Sequence, residues 1–163
     1  IGIRSGSGDW PGIEGQLLMP SVFTPVCSPA MAERLKLAEP SDLLDAPRIG
    51  MEKEWAAWFA AAGVSGGTQP MSRLTADYQV LEVAAALGDQ GVALASPILF
   101  ARELRNGLLV RPFAQTVSFH TGYYLVWPEG RRRSPKIARF RDWLAAQADA
   151  DPTIVEARAI RPA

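Results

Sequence analysis

Three Ser-Pro pairs, Ser28-Pro29, Ser96-Pro97 and Ser134-Pro135, each stand between an extended apolar run and a stretch with helical spacing. A serine hydroxyl caps the free N–H groups of a first helical turn, and proline already has the backbone angle that turn needs. Each pair therefore marks a strand giving way to a helix. The alternation continues between the pairs. Met71–Ala76 reads as a strand, Asp77 as a cap, Val80, Val83, Ala84 and Leu87 as the buried stripe of a helix, and Val92–Ala95 as a short buried strand. Strands alternating with helices through short connections predict an α/β fold around a mostly parallel sheet.

Other segments fit the same scheme. Ile1-Gly2-Ile3-Arg4 alternates like a strand already in progress, and the Gly- and Pro-rich stretch 5–12 that follows is a loop holding Trp10. Residues 16–27 are extended, but Pro20 and Pro25 each remove a ladder donor, which suits an edge strand or one crossing between lobes. Short helices are expected at 30–35 and 40–44. Trp55, Trp58, Phe59 and Ala62 share one face of a helix that Gly63 ends. Ser96-Pro97 opens a helix reaching about Arg105, Leu108–Val110 is a short strand, and Val117–Trp127 is a longer one broken near Thr121-Gly122. A last helix from Ser134 to about Gln147 turns Ile137, Phe140, Trp143 and Leu144 inward, and the tail from Asp149 looks loosely committed.

Composition narrows the function. The chain has 163 residues, 17 basic against 17 acidic, and 48% hydrophobic residues, enough for a globular core and no net charge to draw it onto a phosphate backbone. Its one cysteine, Cys27, cannot form an internal disulfide and falls short of a zinc site, so a reducing compartment is expected. No run is long and apolar enough for a membrane span, and residues 1–5 do not form a signal peptide, which points to a cytoplasmic location with no membrane partner.

Catalytic motifs are missing. No Gly-x-Ser-x-Gly elbow occurs, and Gly6-x-Gly8-x-x-Pro11 lacks the third glycine of a dinucleotide fingerprint. His120, the single histidine, has no partner in the sequence and reads as structural or solvent-exposed. Cys27 reads as a semi-buried small residue, Arg131-Arg132-Arg133 as a solvated loop, and the Trp55, Trp58, Phe59 stripe as packing. No metal, cofactor or catalytic residue is expected. What remains is polar groups where strands end and helices begin, the usual place for a ligand in an open α/β sheet. By that rule Arg4, Ser5 and Gly6, residues 75–78, and Ser96 are the candidates.

Ile3-Arg4-Ser5-Gly6-Ser7-Gly8-Asp9-Trp10-Pro11-Gly12 and Phe23-Thr24-Pro25-Val26-Cys27-Ser28-Pro29-Ala30 closely resemble the effector-binding domain of LysR-type transcriptional regulators, particularly the glycine-cleavage-activator-like subgroup. Further matches follow in order at Glu54-Trp55 to Gly63, Ala84–Leu94, Leu108–Phe113, Tyr123–Val126 and Phe140–Leu144, so the resemblance runs from Ile1 to about Gln147. It implies a type 2 periplasmic-binding-protein-like α/β fold, two lobes joined by two crossover strands at 23–27 and 123–126, with a small-molecule effector bound between the lobes. Residues 1–27 would be part of the outer lobe and the first crossover, and 28–122 the inner lobe. Residues 123–148 would be the second crossover and return to the outer lobe, and 149–163 a carboxyl-terminal tail. The family's winged helix-turn-helix and the first units of the outer lobe have no counterpart here, so the outer lobe is expected to be incomplete, with exposed strand edges.

The resemblance implies effector contacts at Arg4, Ser5, Gly6, Thr75, Asp77, Tyr78, Ser96 and Tyr123. It also implies homodimers or tetramers in the full-length protein, and DNA contact only through the absent helix-turn-helix. The function expected is sensing of a small, anionic metabolite by a bacterial regulator, with no enzymatic activity. The alternative from another class is a stand-alone small-molecule-binding or enzymatic α/β domain of the same fold.

Overall fold

The computed structural model describes residues 1–65, 79–131, 134–160 and 162. The chain divides into two units: residues 1–22 with 118–163, and residues 23–117. The strand expected at 71–76 and the cap at Asp77 lie outside the described residues.

In the first unit, β1 (Gly2–Gly6), β5 (Val117–Pro128) and the start of β2 (Ile13–Val26) are neighbours in the order β1-β5-β2. β1 runs antiparallel to β5, pairing Gly2 with Val126 through Gly6 with Gly122. β5 is continuous through Thr121-Gly122, where a break was expected, because buried Gly122 has no side chain to hold off Leu17 and the Met19 carbonyl. One face of this sheet buries Leu18, Leu125 and Trp127 against Ile137 and Leu144 of helix α5 (Pro135–Ala150). Phe140 and Trp143, expected on that apolar face, are 43% and 55% exposed and stack on each other. The tail is ordered rather than loose. Asp151 accepts from Thr153 and Ile154 amides to cap α6 (Pro152–Arg158), and Arg158 donates to the Leu18 carbonyl at 2.7 Å. The Asp-Pro start is the same cap-plus-proline signal as the Ser-Pro pairs.

In the second unit the neighbours are β2, β4 (Val92–Ala95) and β3 (Arg48–Ile49). β3 and β4 are parallel, whereas β4 and β2 are antiparallel, so the pairing among the described residues is mixed rather than mostly parallel. β2 has neighbours on both sides, which excludes an edge position, and its chain passes from the first unit to the second between Val22 and Phe23. The return falls between Val117 and Ser118; Tyr123–Val126 pair with β1 inside the first unit. Ser28 starts α1 (Pro29–Leu35) as expected, accepting from the Met31 amide at 3.0 Å while its hydroxyl donates to Asp89. A 3-10 turn follows at Pro40–Leu44.

Helix α2 (Glu52–Ala61) buries Trp55, Trp58 and Phe59, and the indole N–H groups donate to the carbonyls of Ile49 and Gln115. That stripe is packing. Helix α3 (Gln79–Leu87) buries Val83 as expected but otherwise turns a different face inward: Glu82 and Ala86 are buried beside it, while Val80 and Leu87 are 66% and 39% exposed and Ala84 is exposed. Its sequence is apolar on nearly every side, so spacing cannot select a face; packing on Ile49, Ala93 and Ala95 does. Ser96 opens a turn, and helix α4 begins only at Ala101 and ends at Arg105. Leu108–Val110 is not a strand. Only Val110 pairs, exchanging two hydrogen bonds with Cys27, because Gly107 turns the chain before it and Arg111-Pro112 leads it away.

Candidate functional site

Four of the expected contact residues lie on one strand pair of the first unit, divided between its two faces. Ser5 lies directly opposite Tyr123 across the β1–β5 ladder, Arg4 opposite Tyr124, and Gly6 opposite Gly122. Successive strand residues point to opposite faces, so Ser5 and Tyr123 share the face that also carries Leu125, while Arg4 and Gly6 share the other with Tyr124. Ser5 is exposed and Tyr123 half-buried. A hydroxyl and a phenol so placed can both donate and accept hydrogen bonds at one end of the strand pair.

The opposite face holds an aromatic cluster where the sequence predicts a loop with one tryptophan. Trp10 meets Tyr124 edge-on, with ring centroids 5.5 Å apart, and Arg4 Cζ lies 4.9 Å from the Trp10 ring centroid. Tyr124 also donates to the Ser7 carbonyl at 3.2 Å. Gly6 and Gly8 make the room. A Cβ on Gly6 would stand 2.8 Å from Trp10, and one on Gly8 2.7 Å from Tyr124, and both glycines have positive φ. The signal was present in the sequence as Gly6-x-Gly8-x-Trp10. Its meaning depends on Tyr124, more than a hundred residues away, and only the ladder register reveals it.

Ser96 lies in the second unit, 1% exposed, at the carboxyl end of β4. Its hydroxyl accepts from the Leu99 amide at 3.4 Å, and its amide donates to Gln79 Oε1 at 3.1 Å. Ser96 thus links the end of β4 to the start of α3. Thr75, Asp77 and Tyr78 lie outside the described residues. Cys27 is buried, and burial, with the Asp89 carboxylate adding to it, pushes its thiol up to about 11, which removes it as a nucleophile at neutral pH. His120 is exposed on the rim of a groove of about 450 Å³ in the first unit, with Leu17, Ser118, Tyr124 and Arg158. None of the five expected contacts among the described residues, Arg4, Ser5, Gly6, Ser96 and Tyr123, lines it. Among the described residues no three His, Cys, Asp or Glu side chains converge as metal ligands, and no helix is long and apolar enough to cross a membrane.

A family model described as the LysR substrate binding domain matches residues 1–149. The chain belongs to this family. Among LysR-family relatives, the HTH-type transcriptional activator AmpR of Citrobacter koseri is 35% identical over 148 residues, 90% of this chain and 50% of that protein. The glycine cleavage system transcriptional activator of Escherichia coli K12 is 30% identical over 154 residues, 93% of this chain and 50% of the relative. The chain therefore spans about half the length of these LysR relatives. The solved effector domain of AmpR from Pseudomonas aeruginosa superposes with a TM-score of 0.80 at 35% identity, over 96% of this chain and 73% of that domain. The fold is thus the LysR substrate-binding fold, of the type 2 periplasmic-binding-protein kind, as the resemblance implied.

Proposed function

We propose that the chain is the effector-sensing domain of a bacterial LysR-type transcription regulator, and that it binds a small anionic metabolite to modulate DNA binding by a separate winged helix-turn-helix. The observation that supports this most is the match to the AmpR effector domain, over 96% of the chain at 35% identity. The proposed contacts are Arg4, Ser5, Gly6 and Tyr123 in the first unit. In residues 23–117 they are Thr75, Asp77, Tyr78 and Ser96. The lobe boundaries expected at 27/28 and 122/123 shift to those of the two units: residues 23–117 act as the inner lobe, and 1–22 with 118–148 contribute to the outer one. The role is that of a switch without catalysis, in a cytoplasmic regulator that works as a dimer or tetramer. A ligand shifts such a switch only through its differential affinity for two arrangements.

The test is a binding screen by thermal shift on the regulator's complete effector domain, using small carboxylates and phosphates alongside neutral and cationic compounds. The proposal predicts that at least one acid raises the midpoint and that Ser5→Ala with Tyr123→Phe abolishes the rise. A midpoint raised only by neutral or cationic compounds would overturn the anionic reading.

A further inference from the structure

Arg4 is held differently from other arginines of the chain. Arg48 and Arg141 also lie over aromatic rings, but their guanidinium groups are engaged elsewhere, that of Arg48 by the Leu43 and Leu44 carbonyls. Arg141 and Arg158 are ion-paired with Asp142 and Asp149, and Arg34 and Arg111 donate to backbone carbonyls. Arg4 instead lies over Trp10, and among the described residues nothing accepts a hydrogen bond from its guanidinium. A guanidinium resting on an aromatic ring keeps its planar N–H fork, and that fork matches two oxygens of a carboxylate or phosphate. The ring beneath it is itself fixed, by the edge contact with Tyr124 and by close packing on Gly6, while Tyr124 is tied to Ser7 and packed on Gly8.

We propose that Trp10 is a positioning residue for Arg4, and that the Arg4–Trp10 stack presents a pre-oriented cationic fork to an oxyanion on the first unit. A free arginine must lose rotamer freedom when it grips an anion; one already held against a ring has lost part of it beforehand. The inference rests on the proposed role of Arg4 as an effector contact and names its chemistry: two oxygens of one carboxylate or phosphate group. Trp10 does not touch the anion. It acts through Arg4, and Tyr124 acts through Trp10.

The experiment is a titration of the 163-residue chain with inorganic phosphate at constant ionic strength, followed by the arginine Nε–Hε resonances. Arg102, Arg105 and Arg139 serve as internal references. In the unsubstituted chain the Arg4 resonance is expected to show the ring-current displacement of a stacked guanidinium and to move saturably, while the references move little. Trp10→Ala should remove the ring-current displacement and weaken phosphate binding at Arg4 by about threefold or more, the loss expected when one rotamer-rich side chain must be immobilised on binding. Trp10→Phe should restore most of both. If Trp10→Ala does not fold, Tyr124→Leu, which frees the Trp10 edge, is read in the same way. Unchanged affinity in a folded Trp10→Ala or Tyr124→Leu chain overturns the positioning role while leaving Arg4 as a contact. An Arg4 resonance that ignores phosphate, or responds no more than the references, overturns the contact itself and the positioning role with it.

Discussion

At the scale of single residues, the polar groups that looked most reactive in the sequence are quiet, and those that looked ordinary hold the local structure. Cys27 sits at a helix start, a position that can favour a thiolate, yet it is fully buried and its thiol is raised to about 11, first by burial and then by Asp89. The unfolded chain releases this proton at lower pH than the folded chain does. Cys27 therefore contributes stability that is complete below the ordinary thiol range and is lost as pH rises toward about 11. Urea denaturation across that range should show stability falling with pH, and Cys27→Ala should flatten the fall; an equal slope in the variant would contradict the assignment. Ser28, next in the chain, was legible because a cap acts on its own helix: the hydroxyl accepts from Met31 three residues on. The cluster of Arg4, Trp10 and Tyr124 was not legible, since it depends on a register set by distant strands.

At the scale of elements, the starts of α1 and α5 and the buried face of α2 followed from local chemistry, whereas the start of α4 and the faces of α3 and α5 did not. The cap-plus-proline pairs located α1 and α5, and Gly63 with positive φ closes α2 where expected. Which side of α3 and α5 turns inward depends on what each packs against. α3 offers apolar atoms almost all round, and α5 carries Phe140 and Trp143 beside the residues that reach the sheet. The difference has an energetic consequence. Leu125, 1% exposed between Leu18 and α5, should cost about 2–5 kcal/mol when replaced by alanine. Trp143, 55% exposed, should change stability by no more than about 0.5 kcal/mol when replaced by serine. Chemical denaturation of both variants checks this, and a large loss in Trp143→Ser would mean that α5 is packed the other way round.

At the scale of the whole molecule, family and fold class were readable from short motifs near positions 3–12, 23–30 and 84–94, and the match across residues 1–149 agrees with them. Strand directions were not readable. A run such as Val92–Ala95 is equally apolar whether its neighbour is parallel, as β3 is, or antiparallel, as β2 is. The candidate site was legible in part for the same reason. Arg4, Ser5, Gly6 and Tyr123 are placed by one ladder in the first unit, whereas Ser96 is placed in the second by its own turn and by Gln79. The central claim is that this chain senses a small acid on behalf of a DNA-binding module. The most direct measurement is the affinity of the complete regulator for its promoter DNA, by fluorescence anisotropy, with and without an acid found to stabilise the effector domain. The account predicts a change of about fivefold or more in affinity, within the usual range of allosteric coupling, and its loss in Ser5→Ala with Tyr123→Phe. An acid that binds the effector domain while leaving both DNA affinity and transcription from that promoter unchanged would contradict it.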